Sequence, residues 1–240
     1  MNYPKHVAII PDGNRTWATE NWFVKVAGHL EWFKRMMEIA EYVFTETSID
    51  VLTVWWLSTE NLKNREQEEL EYLFDIYMKI PAQLEKILEE NNVKFQVAGD
   101  IKQLPQKLQD YFAQKIEETK DFPWEKVFVL AVNYGWQDEI VRWVNKLIDS
   151  WELTMDNGKI DKITPENLSK YLDFGDLPNV NLVLRTKWDM AKRLSGFLLW
   201  WIGYAQLWFT AKRCPELTVK EFIKALNWYD GIIQYQNMGK

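Results

Sequence analysis

Asp12-Gly13-Asn14-Arg15 follows, one proline later, the β-branched, apolar run His6–Ile10. A strand leaving a core thus delivers a carboxylate, a glycine and a guanidinium to one point. Gly13 lets backbone amides approach an anion that a side chain would hold off. Arg15 offers phosphate oxygens a planar fork of donors. Asp12 repels phosphate, so its presence suggests Mg2+ as a bridge, held by one or two carboxylates and the substrate's own phosphates. The same residues read equally well as an Asx turn capping the next helix. Alone, this motif does not decide.

Further segments end strand-like runs in the same way. "STEN" (Ser58 to Asn61) follows Val51–Leu57, "NYGWQDE" closes Val127–Asn133, and "RTKWDMAKRLS" continues from Asn181–Arg185. In open parallel sheets ligands bind beyond the carboxyl ends of the strands. The residues collected there supply a carboxylate, several cations, hydroxyls and close backbone approach, which is the chemistry of a diphosphate with a divalent metal.

The elements that must position them alternate along the chain. Strand candidates are His6–Ile10, Val51–Leu57, Lys94–Ala98, Val127–Asn133, Asn181–Arg185 and Gln206–Thr210. Helical patterns cover His29–Thr47, Gln67–Glu90, Leu104–Glu118, Gln137–Ser150, Pro165–Leu172, Leu194–Tyr204 and Val219–Ile233. Near-continuous apolar strands separated by helices mark a parallel sheet covered on both faces. The expectation is one α/β domain over residues 1–240, a central, mostly parallel six-stranded sheet surrounded by about seven helices.

Composition narrows the function classes. Of 240 residues, 47% are apolar, enough for a sizeable core, and the net charge of -6 argues against nucleic acid as a partner. The single cysteine, Cys214, excludes an internal disulfide and fits a reducing, cytoplasmic setting. A catalytic thiol would want a histidine partner, and only His6 and His29 exist. The most apolar stretch, Gly196 to Ala211, is short for a bilayer span and reads as a helix and strand of the core. The N-terminus lacks the layout of a signal peptide.

"HVAIIPDGNRTWA" (6–18), "AGH" (27–29), "LSTEN" (57–61), "NYG" (133–135) with "DEIV", "LRT" (184–186) and "RLSGFLLW" (193–200) leading to "YAQLWFT" occur in this order. The chain therefore resembles the cis-prenyltransferases, the undecaprenyl diphosphate synthase family, over nearly its whole length. The trans-prenyltransferases would need an Asp-Asp-x-x-Asp helix, and no Asp-Asp pair exists here. The resemblance implies Mg2+-dependent condensation of isopentenyl diphosphate with an allylic diphosphate such as farnesyl diphosphate. The product would be a Z-polyprenyl diphosphate, precursor of a cell-wall lipid carrier.

It further implies roles for single residues. Asp12 matches the essential aspartate at the metal and the leaving diphosphate. Gly13, Asn14, Arg15 and Thr16 line the phosphate loop with Trp17 beside it, Lys25 stands where arginine is usual, and His29 matches the histidine of a Gly-His pair. Ser58, Thr59, Glu60, Asn61 and Leu62 match the segment near the reacting carbon, with Asn61 assisting proton removal. Arg65 replaces, one position on, an arginine expected at Asn64. Arg185, Arg193, Leu194 and Ser195 match the isopentenyl diphosphate site. The resemblance also implies a homodimer, at most peripheral membrane contact, and, as the alternative, a silent homologue serving as a partner subunit.

The chain departs from the family pattern at several points. Gln206 stands where the family has a metal-holding glutamate, Thr16 replaces an arginine and Leu62 a tryptophan. Two residues are inserted between Trp188 and Arg193, and the tail lacks the family's Arg-x-Gly. Fourteen tryptophans are several times ordinary usage. Trp22, Trp32, Trp56, Trp136 and Trp188 all fall where the family has glycine or a very small residue. Overpacking costs kcal/mol per site, so the expectation is a gene in which UGA encodes glycine. With genuine tryptophans, Trp56 would narrow the substrate tunnel and shorten the product.

Overall fold

β1 (His6–Ile10) is buried along its whole length and occupies the middle of the molecule. A computed structural model describes residues 1–24, 27–79, 81–149, 155–156, 159–160, 164–187 and 192–238. The remaining strands, in chain order, are β2 (Val51–Ser58), β3 (Lys94–Ala98), β4 (Val127–Tyr134), the two-residue β5 (Met155–Asp156) and β6 (Lys159–Ile160), β7 (Leu182–Arg185) and β8 (Gln206–Phe209). β5 and β6 pair antiparallel by themselves. The other six form one sheet in the order β3-β4-β2-β1-β7-β8, and every neighbouring pair is parallel.

The described helices are α1 (Asn14–Glu20), α2 (Ala27–Glu46), α3 (Thr59–Asn64), α4 (Gln67–Lys79), α5 (Pro81–Glu90), α6 (Gln106–Thr119), α7 (Trp136–Asp149), α8 (Pro165–Tyr171) and α9 (Val219–Met238). Period-two alternation sorts the strand side chains into two cores. Val7 and Ile9 face α2, α4, α5, α6 and α9, while Ala8 and Ile10 face Phe174, Phe197 and Trp201 on the opposite side. Burying each large apolar side chain contributes about 1.5–3 kcal/mol, so both layers are needed to hold the strand ends in place.

Three expectations are corrected. The apolar pattern of Gln67–Glu90 belongs to two helices, because Pro81 lacks an amide hydrogen and begins α5. Leu194–Tyr204 is a chain of turns, not a helix: Ser195 and Leu198 adopt φ 53° and 49°, and yet Phe197 and Leu198 are fully buried. Two short helices, α1 and α3, lie outside the expected patterns; with the split at Pro81 and the loss of Leu194–Tyr204 they bring the described helices to nine. Among the tryptophans, Trp32 is buried, Trp56 is half-buried, Trp136 opens α7, and Trp22 is 97% exposed with φ 62°. Trp188 lies outside the described residues.

Candidate active site

Ile10 of β1 lies in register with Arg185 of β7, so the two strands end side by side and the segments beyond them meet. Thr186 Oγ1 accepts the Asp12 amide at 2.7 Å and donates to the Asp12 carbonyl at 2.8 Å, which fixes the turn after Pro11. Arg185, only 6% exposed, donates through Nη2 to Asp12 Oδ2 at 3.0 Å. Its other arm, Nη1, donates to Ser195 Oγ at 3.1 Å and to the Arg193 carbonyl. One guanidinium therefore ties the β1 turn to the loop carrying Arg193 and Ser195. Lys187 Nζ stands 3.9 Å from Asp12 Oδ1. The left-handed backbone at Ser195 is a strained conformation that persists only where its surroundings over-determine it, and Arg185 is part of what does so.

Across the opening lies a second basic group. Gly13 has φ 97°, and a Cβ there would come within 2.8 Å of Arg213 Cδ, so the turn into α1 requires glycine. Gly28 is required for a different reason. A Cβ at that position would meet the Asn14 carbonyl oxygen at 2.1 Å, so its absence lets α2 start against α1. That close approach brings Asn14 Nδ2 within 3.3 Å of His29 Nδ1. Burial, then the charges of Arg65 and Arg15, push the His29 pKa down to about 3, so the ring is neutral. With Nδ1 accepting from Asn14, the ring proton sits on Nε2. That atom is buried and has no hydrogen-bond partner among the described residues; Arg65 Nε and Asn14 Oδ1 share this condition. Arg15 and Arg65 complete the group, both ion-paired to Glu69 of α4.

Between the two groups is a cavity of about 380 Å3. Its walls include Asp12, Gly13, Asn14, Arg15, Thr16, His29, Ser58, Glu60, Asn61, Arg65, Arg185, Arg193 and Ser195. Ser58 caps α3 by accepting the Asn61 amide at 3.0 Å, which sets Asn61 on the wall. The register of β2 against β4 slips between Trp55 and Leu57. A bulge of this kind re-aims side chains beside a site, and Trp55 and Trp56 both line the cavity. Thr59 lines an adjoining cavity of about 270 Å3 with Trp136.

Other expected residues are not brought here. Trp17 stacks on Phe23 with centroids 5.6 Å apart, Leu62 packs on one core and Leu194 on the other. Lys25 lies outside the described residues. Gln206, expected at the metal, pairs with Leu182 at the far end of β8 from the Arg185–Phe209 row. That separation is three residues, about 10 Å along the strands, so within this chain Gln206 does not join Asp12. Sequence reasoning does not place Lys187, Trp32 or Trp55 at the site, though all three line the cavity. It also passed over Glu69, whose only sequence signal is its i,i+4 spacing from Arg65.

Residues 10–235 match the family described as "Putative undecaprenyl diphosphate synthase". An isoprenyl transferase of Fusobacterium nucleatum is 39% identical over 230 residues, covering 95% of this chain and 94% of the relative. The isoprenyl transferase of Thermotoga maritima is 32% identical over 229 residues, covering 95% and 94%. Lavandulyl diphosphate synthase from Lavandula x intermedia, solved with dimethylallyl diphosphate, superposes with a TM-score of 0.85 at 28% identity, covering 95% of each chain. A probable undecaprenyl diphosphate synthase from Campylobacter jejuni gives a TM-score of 0.70 at 30% identity over 96% of each.

Proposed function

The chain belongs to the undecaprenyl diphosphate synthase family of prenyltransferases, and on that premise we propose that it condenses isopentenyl diphosphate with an allylic diphosphate to give a Z-prenyl diphosphate. The observation that carries this reading is the pair of basic groups lining one cavity, with Asp12 on its wall bound to Arg185. Arg185, Arg193 and Ser195 suit one diphosphate, because a guanidinium fork holds orientation as well as charge. Arg15, His29 and Arg65, with the amides freed by Gly13, suit the other.

In the reaction the allylic C1–O bond breaks and pyrophosphate leaves with the bonding pair. The alkene of isopentenyl diphosphate then bonds to C1, and the C2 proton of that unit passes to the released pyrophosphate as the new double bond forms. The charge that develops sits on the departing oxygens, so donors fixed beforehand lower the barrier. Neutral His29 donates from Nε2, with the largely buried Arg65 and the more exposed Arg15 as cations beside it. Asn61 on the adjoining wall is placed for assistance at proton removal. Asp12 is one-third exposed at the cavity, with Lys187 Nζ 3.9 Å from its Oδ1, which fits a single carboxylate sharing Mg2+ with substrate phosphates. When bound there, Mg2+ would neutralise leaving-group charge as a Lewis acid.

The relatives are transferases or synthases by name, which gives no support to a silent partner subunit. A homodimer is the assembly proposed: β8 is an edge strand, and Leu207 on it lies with exposed Leu199, Trp200 and Tyr204 just before it. No described helix is long and apolar enough to cross a membrane, and a cytoplasmic enzyme with at most peripheral lipid contact is proposed. The test is incubation of purified protein with Mg2+, farnesyl diphosphate and labelled isopentenyl diphosphate. Labelled polyprenyl products are expected, and Asp12→Ala should abolish them. No product under any primer length would end this reading.

A further inference from the structure

Glu69 stands where an anion of another kind belongs. Its carboxylate reaches across from α4 to the group formed by Arg15, His29 and Arg65, at 3.6 Å from Arg15 Nη1, 3.2 Å from Arg65 Nη1 and 4.0 Å from His29 Nε2. None of these three contacts is a hydrogen bond. Among the described residues, Glu69 Oε1, His29 Nε2 and Arg65 Nε are each buried without a hydrogen-bond partner. Buried donors left this way are destabilising, so the arrangement balances charge without satisfying geometry. A carboxylate has two oxygens on a short stem. A diphosphate brings more oxygens and more charge, and it can reach both orphaned donors at once.

The geometry points to Glu69 as a resident counter-anion of the diphosphate cradle, which competes with the departing pyrophosphate and hastens its release. The inference rests on the prenyl-transfer reading of the site. With substrate bound, Glu69 is repelled by the phosphates and leaves its place. When the C1–O bond has broken and pyrophosphate remains, the Glu69 carboxylate returns to Arg15 and Arg65 as the anion departs. No residue need be charged or discharged in the cycle. The sign of this role is opposite to that of a mere scaffold. A glutamate that only held Arg15 and Arg65 in position would weaken diphosphate binding when removed, whereas a competitor strengthens it.

The experiment is calorimetric titration of inorganic pyrophosphate, with Mg2+ present, into the full-length protein and Glu69→Gln, an isosteric change that removes only the charge. An opposite charge within about 4 Å at the protein surface is strong enough that its loss should tighten pyrophosphate binding about tenfold. In turnover, KM for the allylic diphosphate should fall, and kcat should fall with it as release slows. Glu68→Gln, at an exposed neighbouring position, should leave the affinity unchanged. Unchanged or weaker binding by Glu69→Gln, with the parent protein binding normally, would overturn the counter-anion role and leave prenyl transfer standing. Absence of pyrophosphate binding in the parent protein would overturn both.

Discussion

Asp12 and Arg185 are joined by a 3.0 Å ion pair between the ends of adjacent parallel strands, and the same guanidinium holds Ser195 Oγ at 3.1 Å. Only a planar fork can serve Asp12, Ser195 and the Arg193 carbonyl together. Arg185→Lys keeps the charge and loses the fork. Charge-assisted hydrogen bonds contribute about 1.5–3 kcal/mol, so KM for isopentenyl diphosphate should rise about tenfold to a hundredfold, with KM for the allylic substrate little changed. Steady-state kinetics with each substrate varied in turn checks this. An equal rise in both constants would mean that Arg185 serves the fold and not one subsite.

Much of this arrangement is legible in the sequence, for a physical reason. The strands of a covered parallel sheet are continuous apolar runs, and β1 and β3 fall on their expected bounds. The residues just beyond such strands then have to share one rim. What periodicity misreads is equally physical. Gly196 to Tyr204 is apolar enough for a helix, but the left-handed backbones of Ser195 and Leu198 fold it into turns that still bury Phe197 and Leu198. Gln206 has the type and context of a site residue, but its register on β8 sets it at the far end of the strand. Glu69 belongs to no motif, since its meaning lies in a tertiary approach of α4 to α1 and α2.

Titration should reveal opposing buried groups. Burial pushes the pKa of His6 down to about 4 and of His29 to about 3, from an ordinary 6.5. Below 6.5 the unfolded chain takes up protons the folded one refuses, so their contribution to stability is lost as pH falls toward 4. Glu139 goes the other way. Burial, despite the hydrogen bond from Tyr134, raises its pKa from 4.5 to about 7. Its contribution is fully present below 4.5 and is lost as pH rises through 7. Glu139→Gln copies the protonated form and removes this opposing slope. Its urea midpoint should therefore fall more steeply than that of the parent between pH 6.5 and 4.5, and parallel curves would refute the assignment.

Trp56 closes one side of the cavity. Its ring lies 4.7 Å from that of Tyr77 and meets Phe33 edge-on at 6.1 Å, while Tyr77 Oη donates to the Trp56 carbonyl at 3.2 Å. A growing chain that runs in this direction meets the indole as a wall. Trp56→Ala should lengthen the product by at least one isoprene unit, at a stability cost of up to about 3 kcal/mol for the packing lost. Chromatography of the dephosphorylated products against standards reads the length. An unaltered distribution would place the wall elsewhere.

Trp22 adopts φ 62° with 97% of its surface in water, so its side chain gains little packing to offset a backbone that L-residues disfavour. The left-handed region costs a non-glycine residue about 1 kcal/mol or more. Trp22→Gly should therefore cost almost nothing in contacts and stabilise the protein by about 1 kcal/mol, less the flexibility glycine adds to the unfolded chain. A raised urea midpoint in the variant is the expected result. The same backbone is what a glycine codon at position 22 would leave behind, as expected if UGA is read as glycine in the source gene. Reading the codons for Trp22, Trp32, Trp56, Trp136 and Trp188 tests that directly. UGA at these positions, with UGG reserved for other tryptophans such as Trp55 and Trp201, is the outcome it requires, and UGG at all five would exclude it.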